Sequence, residues 1–230
     1  AIEASNTPVT AAIHGTALGG GFEIGLASHR RIMKSDARVG LPEVLLGLTP
    51  GAGGTQRLPR LIGLSATLEL VTSGRQIGAK EALALGAVDA IAENNLLQEA
   101  VKMARDSIGK PLRRSGQLPV PAYDETAIAT QLDAIAKKAR GQNSPMEAAQ
   151  LVMRAPHVPV AEGVAAERET FLRLMETEQS KALRHIFAAE RAALKIEGLD
   201  LTTARKITQV GIAGAGIMGT GIAIAMADSG

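Results

Sequence analysis

The segment His14-Gly15-Thr16-Ala17-Leu18-Gly19-Gly20-Gly21-Phe22-Glu23 decides how this chain is read. Pro8 to Gly15 is a short apolar run ended by glycine and predicts a buried strand. Gly20 to Ser28 then reads as a short helix. Three glycines in a row let a backbone come close to a bound group, because no Cβ stands in the way. A helix starting there points its free N–H groups at that group and favours negative charge. Glu23 stands one turn along, beside the same spot. Together these features indicate chemistry on a carbonyl whose oxygen becomes anionic. Phe22, Ile24, Leu26 and Ala27 are apolar, so Glu23 is expected to be half buried, where a charge needs a reason.

Twenty residues on, Val39-Gly40-Leu41-Pro42-Glu43 carries a second carboxylate, followed by Thr49-Pro50-Gly51-Ala52-Gly53-Gly54-Thr55-Gln56-Arg57-Leu58. Pro42 suits the first position of a helix and puts Glu43 in its first turn. Taken alone, Pro-Glu at a helix start is ordinary. Residues 55–86 read as helical with breaks at Gly63 and Gly74, ending in a short helix Ala79–Leu85 stopped by Gly86. Val88 to Ala92 predicts a strand and Leu96 to Ile108 an amphipathic helix.

The chain has 230 residues, 46% of them hydrophobic, enough for one substantial domain or two small ones. Phe22, Phe171, Phe187 and Tyr123 are the aromatic residues, so the core must be built from Ala, Leu, Ile, Val and Met. The absence of cysteine excludes disulfides and thiolate metal sites, and the four histidines have no ligand spacing, so no metal is expected. A net charge of +2 offers neither a basic stripe nor a stacking platform for nucleic acid. His14 reads as a hydrogen-bonded structural residue. Arg30, Arg31 and Lys34 read as a solvated face, and Arg57 as a helix anchor.

Beyond Lys110 the composition shifts. Pro111, Pro119 and Pro121 mark a connection. Helices are expected over residues 125–140 and 145–154, then one long helix over 160–195. In that helix Phe171, Met175, Ala182, Ile186 and Ala193 form one apolar stripe. Ile207 to Ala213 is strand-like. Gly214-Ala215-Gly216-Ile217-Met218-Gly219 fits Gly-x-Gly-x-x-Gly, with a helix continuing over Thr220 to Ala227. That placement, after a strand and opening a helix, makes a dinucleotide-binding start credible. Ile207 to Ala227 is also 21 residues without charge, long enough to span a bilayer, but its glycines favour the nucleotide reading over a membrane span.

The two glutamate segments resemble the signatures of the crotonase (enoyl-CoA hydratase/isomerase) superfamily, over residues 8–108. The later stretch resembles the linker and dehydrogenase start of multifunctional β-oxidation enzymes. Gly141-Gln142-Asn143-Ser144-Pro145 and Lys181 to Arg191 match that fused type better than single-domain hydratases. The fold implied is α/β: a partial crotonase domain (a ββα spiral), a helical extension and long linker helix, then the first strand and helix of a Rossmann domain. The implied boundaries are 1–110 for the crotonase core, lacking its N-terminal part, and 111–158 for its helical C-terminal part. The linker helix takes 159–205 and a truncated NAD-binding start 206–230. The activity implied is hydration of 2-trans-enoyl-CoA, linked to an NAD-dependent 3-hydroxyacyl-CoA dehydrogenase. The alternatives are a Δ3,Δ2-enoyl-CoA isomerase using mainly Glu43, or an inactive fragment.

By resemblance, Glu23 orients and activates water, Glu43 exchanges a proton at Cα, and the Gly20 N–H is half of an oxyanion hole. The other half lies upstream of Ala1 in that family. Gly214, Gly216 and Gly219 are the implied NAD contacts, and a coenzyme A thioester the implied substrate. Leu41 stands where single-domain hydratases often have a polar residue. The resemblance leaves a thiolase subunit and self-association open as partners. It implies the bacterial cytoplasm, or the peroxisome in a eukaryote. Hydration needs a base for water, an acid for Cα and a stabilised enolate oxygen, so the two carboxyls must differ in protonation.

Overall fold

A computed structural model describes residues 1–193 and 206–229. They fall into two units, Ala1–Ala189 and Glu190–Gly230. The chain opens with β1 (Thr10–Ile13), β2 (Thr16–Leu18), α1 (Gly20–Ala27), β3 (Arg30–Lys34) and β4 (Arg38–Gly40). A 3-10 turn over Glu43–Leu46 leads to α2 (Gly54–Ile62), α3 (Leu64–Ser73) and β5 (Ile77–Gly78). Then come α4 (Ala79–Leu85), β6 (Ala90–Ala92), α5 (Leu96–Asp106), α6 (Glu125–Ala139) and α7 (Ser144–Arg154). Helices α8 (Val160–Met175) and α9 (Glu178–Ala193) follow, and α10 (Ile217–Asp228) lies in the second unit.

Two small sheets result. One is parallel in the order β1-β3-β6, with Ala12 opposite Ile32 and Ile32 opposite Ala90. The other joins β2 and β4 in parallel and β4 to β5 in antiparallel fashion. Leu18 lies opposite Gly40, so the two glutamate segments leave the sheet from neighbouring strand ends. The Gly19 N–H donates to the Gly40 carbonyl at 3.0 Å just beyond them. Strands β2 and β5 are three and two residues long, too short for an alternating pattern to announce them.

The core lies around α2, α3 and α7. Leu58, Leu64, Leu68 and Val71 meet Ala148, Ala149 and Val152 there, while Phe22, Leu26 and Met33 fill it from α1 and β3. Small side chains on α7 allow close helix approach, which compensates for the shortage of aromatics. Asn95 caps α5 by accepting from the Gln98 N–H, and Asp124 caps α6.

The expected single helix over 160–195 is two helices. Thr177 ends α8 and starts α9: its hydroxyl donates to the Leu174 carbonyl at 2.7 Å and accepts from the Ser180 N–H at 3.3 Å. A threonine at this position caps a new helix, a local signal that outweighs the continuous apolar stripe. The tail of that expected helix, residues 194–205, and residue 230 lie outside the described residues. Ile207 to Ala213, expected as a strand, forms no ladder; among the described residues of its unit there is no other strand to pair with.

Helix α8 lies close against α2. A Cβ on Gly163 would overlap the Gln56 side-chain amide and stand 2.9 Å from its Cγ. Gln56 cannot swing away freely, because its Nε2 donates to Leu151 O at 2.8 Å and to Thr55 Oγ1 at 3.0 Å. Gly163→Ala is therefore expected to lower stability by ~1–2 kcal/mol, the overlap outweighing alanine's better helix propensity. Thermal unfolding checks this, and an unchanged or raised Tm would show that Gln56 moves aside.

Candidate active site

Glu23 and Glu43 line one cleft of about 520 Å³, together with Leu18, Gly19, Gly20, Pro42 and Ala52. The β2–β4 pairing brings them there. Helix α1 starts at Gly20, with Gly19 as its N-cap at φ 55°. That left-handed conformation suits glycine. Space is tight as well, since a Cβ on Gly19 would stand 3.0 Å from Glu43 Oε1. The Glu43 carboxyl thus lies against the start of α1. The Gly20 N–H there has no carbonyl four residues back within the helix to bond.

The two carboxyls have different surroundings. Glu23 is 3% exposed, and its Oε1 accepts from the Ala52 and Gly54 N–H groups, both at 2.8 Å. Glu43 Oε2 is buried with no hydrogen-bond partner among the described residues. Burial pushes the Glu43 carboxyl up to about 8, against a backbone hydrogen bond, with the charges of Glu23 and Glu167 adding to the rise. Glu43 is then neutral at pH 7. Leu41, fully buried beside Gly54, is part of what keeps this corner apolar.

Sequence reasoning missed Glu167, on α8, which is 0% exposed. Its Oε1 accepts from the Gly53 N–H, and its Oε2 from the Thr55 N–H at 2.8 Å and the Thr55 hydroxyl. Burial and then the charge of Glu23 push this carboxyl upward; its three donors act the other way. A signal was available, because stepping back four residues from Phe171 along the apolar stripe reaches Glu167 and four more reaches Gly163. Arg168, Phe171 and the 42%-exposed Phe187 complete the cleft wall. A 16-residue separation spans ~24 Å on a straight helix. The break at Thr177 is what lets Phe171 and Phe187 line one cleft.

The enoyl-CoA hydratase/isomerase family matches residues 1–137. The chain belongs to this family. Its likeness to known relatives runs beyond that stretch. The peroxisomal bifunctional enzyme of Danio rerio is 44% identical over 236 residues, covering 99% of this chain and 33% of that protein. The human protein of that name is 39% identical over 235 residues, covering 98% of the chain and 32% of the relative. The fatty acid oxidation complex subunit alpha of Shewanella sp. (strain MR-4) is 40% identical over 232 residues, covering 96% and 33%. The hydratase/isomerase family chain thus spans about a third of the length of these relatives. Among solved structures, Pseudomonas aeruginosa OdaA shares the fold, with a TM-score of 0.52 at 24% identity over 78% of this chain and 62% of that one.

In the second unit of this hydratase/isomerase family chain, each fingerprint glycine has a distinct setting. Gly214 has φ 112°, which makes the tight turn. Gly216 is the N-cap of α10, and a Cβ there would meet nothing within 4 Å. A Cβ on Gly219 would overlap the Gly214 carbonyl, whose carbon would be 2.9 Å away. A turn, an open face at a helix start and a close approach are the three demands of a pyrophosphate-binding loop. No helix among the described residues is long and apolar enough to cross a membrane.

Three side expectations are settled by position. His14 is exposed, because β1 ends one residue before it. Arg31 is buried, contrary to the solvated face expected of it, and pairs with Asp89 at 3.2 Å. Asp89 also accepts the Arg31 N–H at 2.7 Å, which draws the residue inward. Arg57 anchors its helix, donating to Ala52 O at 3.0 Å and to Glu3 Oε2 at 3.1 Å.

Proposed function

We propose that this chain is the hydratase part of a multifunctional β-oxidation enzyme and that its cleft adds water in syn fashion to a 2-trans-enoyl-CoA. The supporting observation is the pair Glu23 and Glu43 on one cleft with the start of α1, Glu43 being held neutral. The thioester oxygen accepts from the Gly20 N–H. Glu23 takes a proton from water, whose oxygen bonds to Cβ. The C=C electron pair moves toward the thioester oxygen, and Glu43 gives its proton to Cα. Glu23 ends protonated and Glu43 ionised, and exchange with solvent resets both.

A second reading, Δ3,Δ2-enoyl-CoA isomerisation, is favoured by the unpaired Glu43 Oε2, which could carry a proton between two carbons by itself. The complete protein assayed on 2-enoyl- and 3-enoyl-CoA separates the two. Faster turnover of the 3-enoyl thioester would overturn the hydratase assignment. We further assign residues 1–110 to the crotonase core, 111–158 to its helical part, 159–205 to a linker and 206–230 to an NAD-binding start. Gly214, Gly216 and Gly219 would hold the NAD pyrophosphate, and NAD when bound would supply a hydride acceptor. The site of action is the bacterial cytoplasm, or the peroxisome in a eukaryote.

The raised Glu43 pKa fixes the sign of the pH dependence. The acid form is present at pH 7 and is lost as pH rises through about 8. Hydration, read as kcat/KM, is expected to fall along that limb. A profile flat to pH ~9.5 would remove Glu43 from the acid role.

A further inference from the structure

The loop that holds Glu23 is gripped by two carboxylates on alternate N–H groups. Ala52 and Gly54 donate to Glu23, while Gly53 and Thr55 donate to Glu167. Glu23 comes from α1 and Glu167 from α8, in a part of the chain beyond residues 1–137. The two pairs of N–H groups face different carboxylates, so neither carboxylate serves the other's pair. Without Glu167, two buried N–H groups and the Thr55 hydroxyl lose their acceptor. An orphaned buried donor is costly enough for the loop to rearrange. Any rearrangement carries off the two N–H groups that fix Glu23.

We propose that Glu167 is a positioning residue for the hydration chemistry, holding the Ala52–Thr55 loop so that Glu23 stands in the geometry that activates water. This rests on the hydratase reading of the cleft. Glu167 touches no substrate in this account; it acts through Gly53 and Thr55. Gln56 strengthens the arrangement, since its Nε2 donates to Thr55 Oγ1 and turns that hydroxyl's proton toward Glu167. Glu167 has a second, electrostatic connection to the site. The charged groups acting on Glu43 are Glu23 on α1 and Glu167 on α8, and Arg168 lines the same cleft.

The test uses the complete protein and Glu167→Gln, which keeps shape but sets an amide N–H against a donor. Hydration of a 2-enoyl-CoA is expected to lose ~10²-fold in kcat with KM within a few-fold, as a misplaced catalytic group does. The alkaline limb of the pH profile is expected to move down, because one negative charge near Glu43 is gone. Hydrogen exchange over residues 50–57, read by mass spectrometry, is expected to quicken by roughly tenfold or more. Exchange needs no activity, so a parent protein that hydrates nothing but shows faster exchange in the variant would remove the hydratase reading alone. Unchanged kcat, limb and exchange together would overturn the positioning role. Should Glu167→Gln fail to fold, Glu167→Asp and Thr55→Val take its place. Asp keeps the charge on a shorter arm. Val removes the hydroxyl that donates to Glu167 and accepts from Gln56, while leaving the carboxylate and both loop N–H groups. Each is expected to lower kcat with the limb unmoved, and parent-like kcat in both would overturn the proposal.

Discussion

Glu23→Gln and Glu43→Gln, each made in the complete protein, are expected to lower hydration of a 2-enoyl-CoA by ~10²–10⁴-fold while a saturated acyl-CoA still binds within a few-fold. In the first variant the new amide can still accept from Ala52 and Gly54 through its oxygen, so the loop stays in place. It cannot take a proton from water. At position 43 the amide resembles the neutral carboxyl in shape and charge, so the apolar corner stays intact. It has no acidic proton to give to Cα. Calorimetric titration with the saturated thioester separates binding from chemistry. Turnover close to that of the parent in either variant would falsify that residue's assignment.

Gly20→Pro and Gly20→Ala form the second pair. A Cβ at position 20 would meet nothing within 4 Å, so alanine fits. Proline is compatible with the backbone there, since position 20 is the first residue of α1, where proline is favoured. The preceding Gly19, at φ 55° and ψ −129°, lies outside the α region that proline disfavours in its neighbour. The proline variant therefore loses one N–H and little else. Its hydration rate is expected to fall ~10²–10³-fold below that of the alanine variant. Equal rates in two folded proteins would take Gly20 out of the oxyanion role.

What the sequence disclosed, and what it hid, follows from the reach of each signal. Gly19 to Glu23 and Gly40 to Glu43 each carry their meaning within a few residues, and so they were legible. The helices α3 to α7 were legible too, because Gly63, Gly74, Gly86 and the prolines near 111–121 punctuate them. Strand β2 was not, because three residues hold no period. The break at Thr177 is masked because the apolar stripe runs across it, although threonine is a capping residue. Glu167 was hidden more deeply. A single acidic residue on a helix is ordinarily solvated; its place on the apolar stripe hints at burial, but its partners, Gly53 and Thr55, are what give it a role. Those partners are more than a hundred positions away.

That distance also orders events in time. A ribosome adds roughly 5–20 residues per second, so Glu167 is made several seconds after the loop it will hold. In the interval Gly53 and Thr55 have no acceptor from α8, and the loop is free to sample other shapes. Closing so long a stretch of chain has an entropic cost that falls late in folding. The loop thus gains its full set of acceptors only once α8 has been made, after both α1, which supplies Glu23, and α7, which completes the core beside α2 and α3.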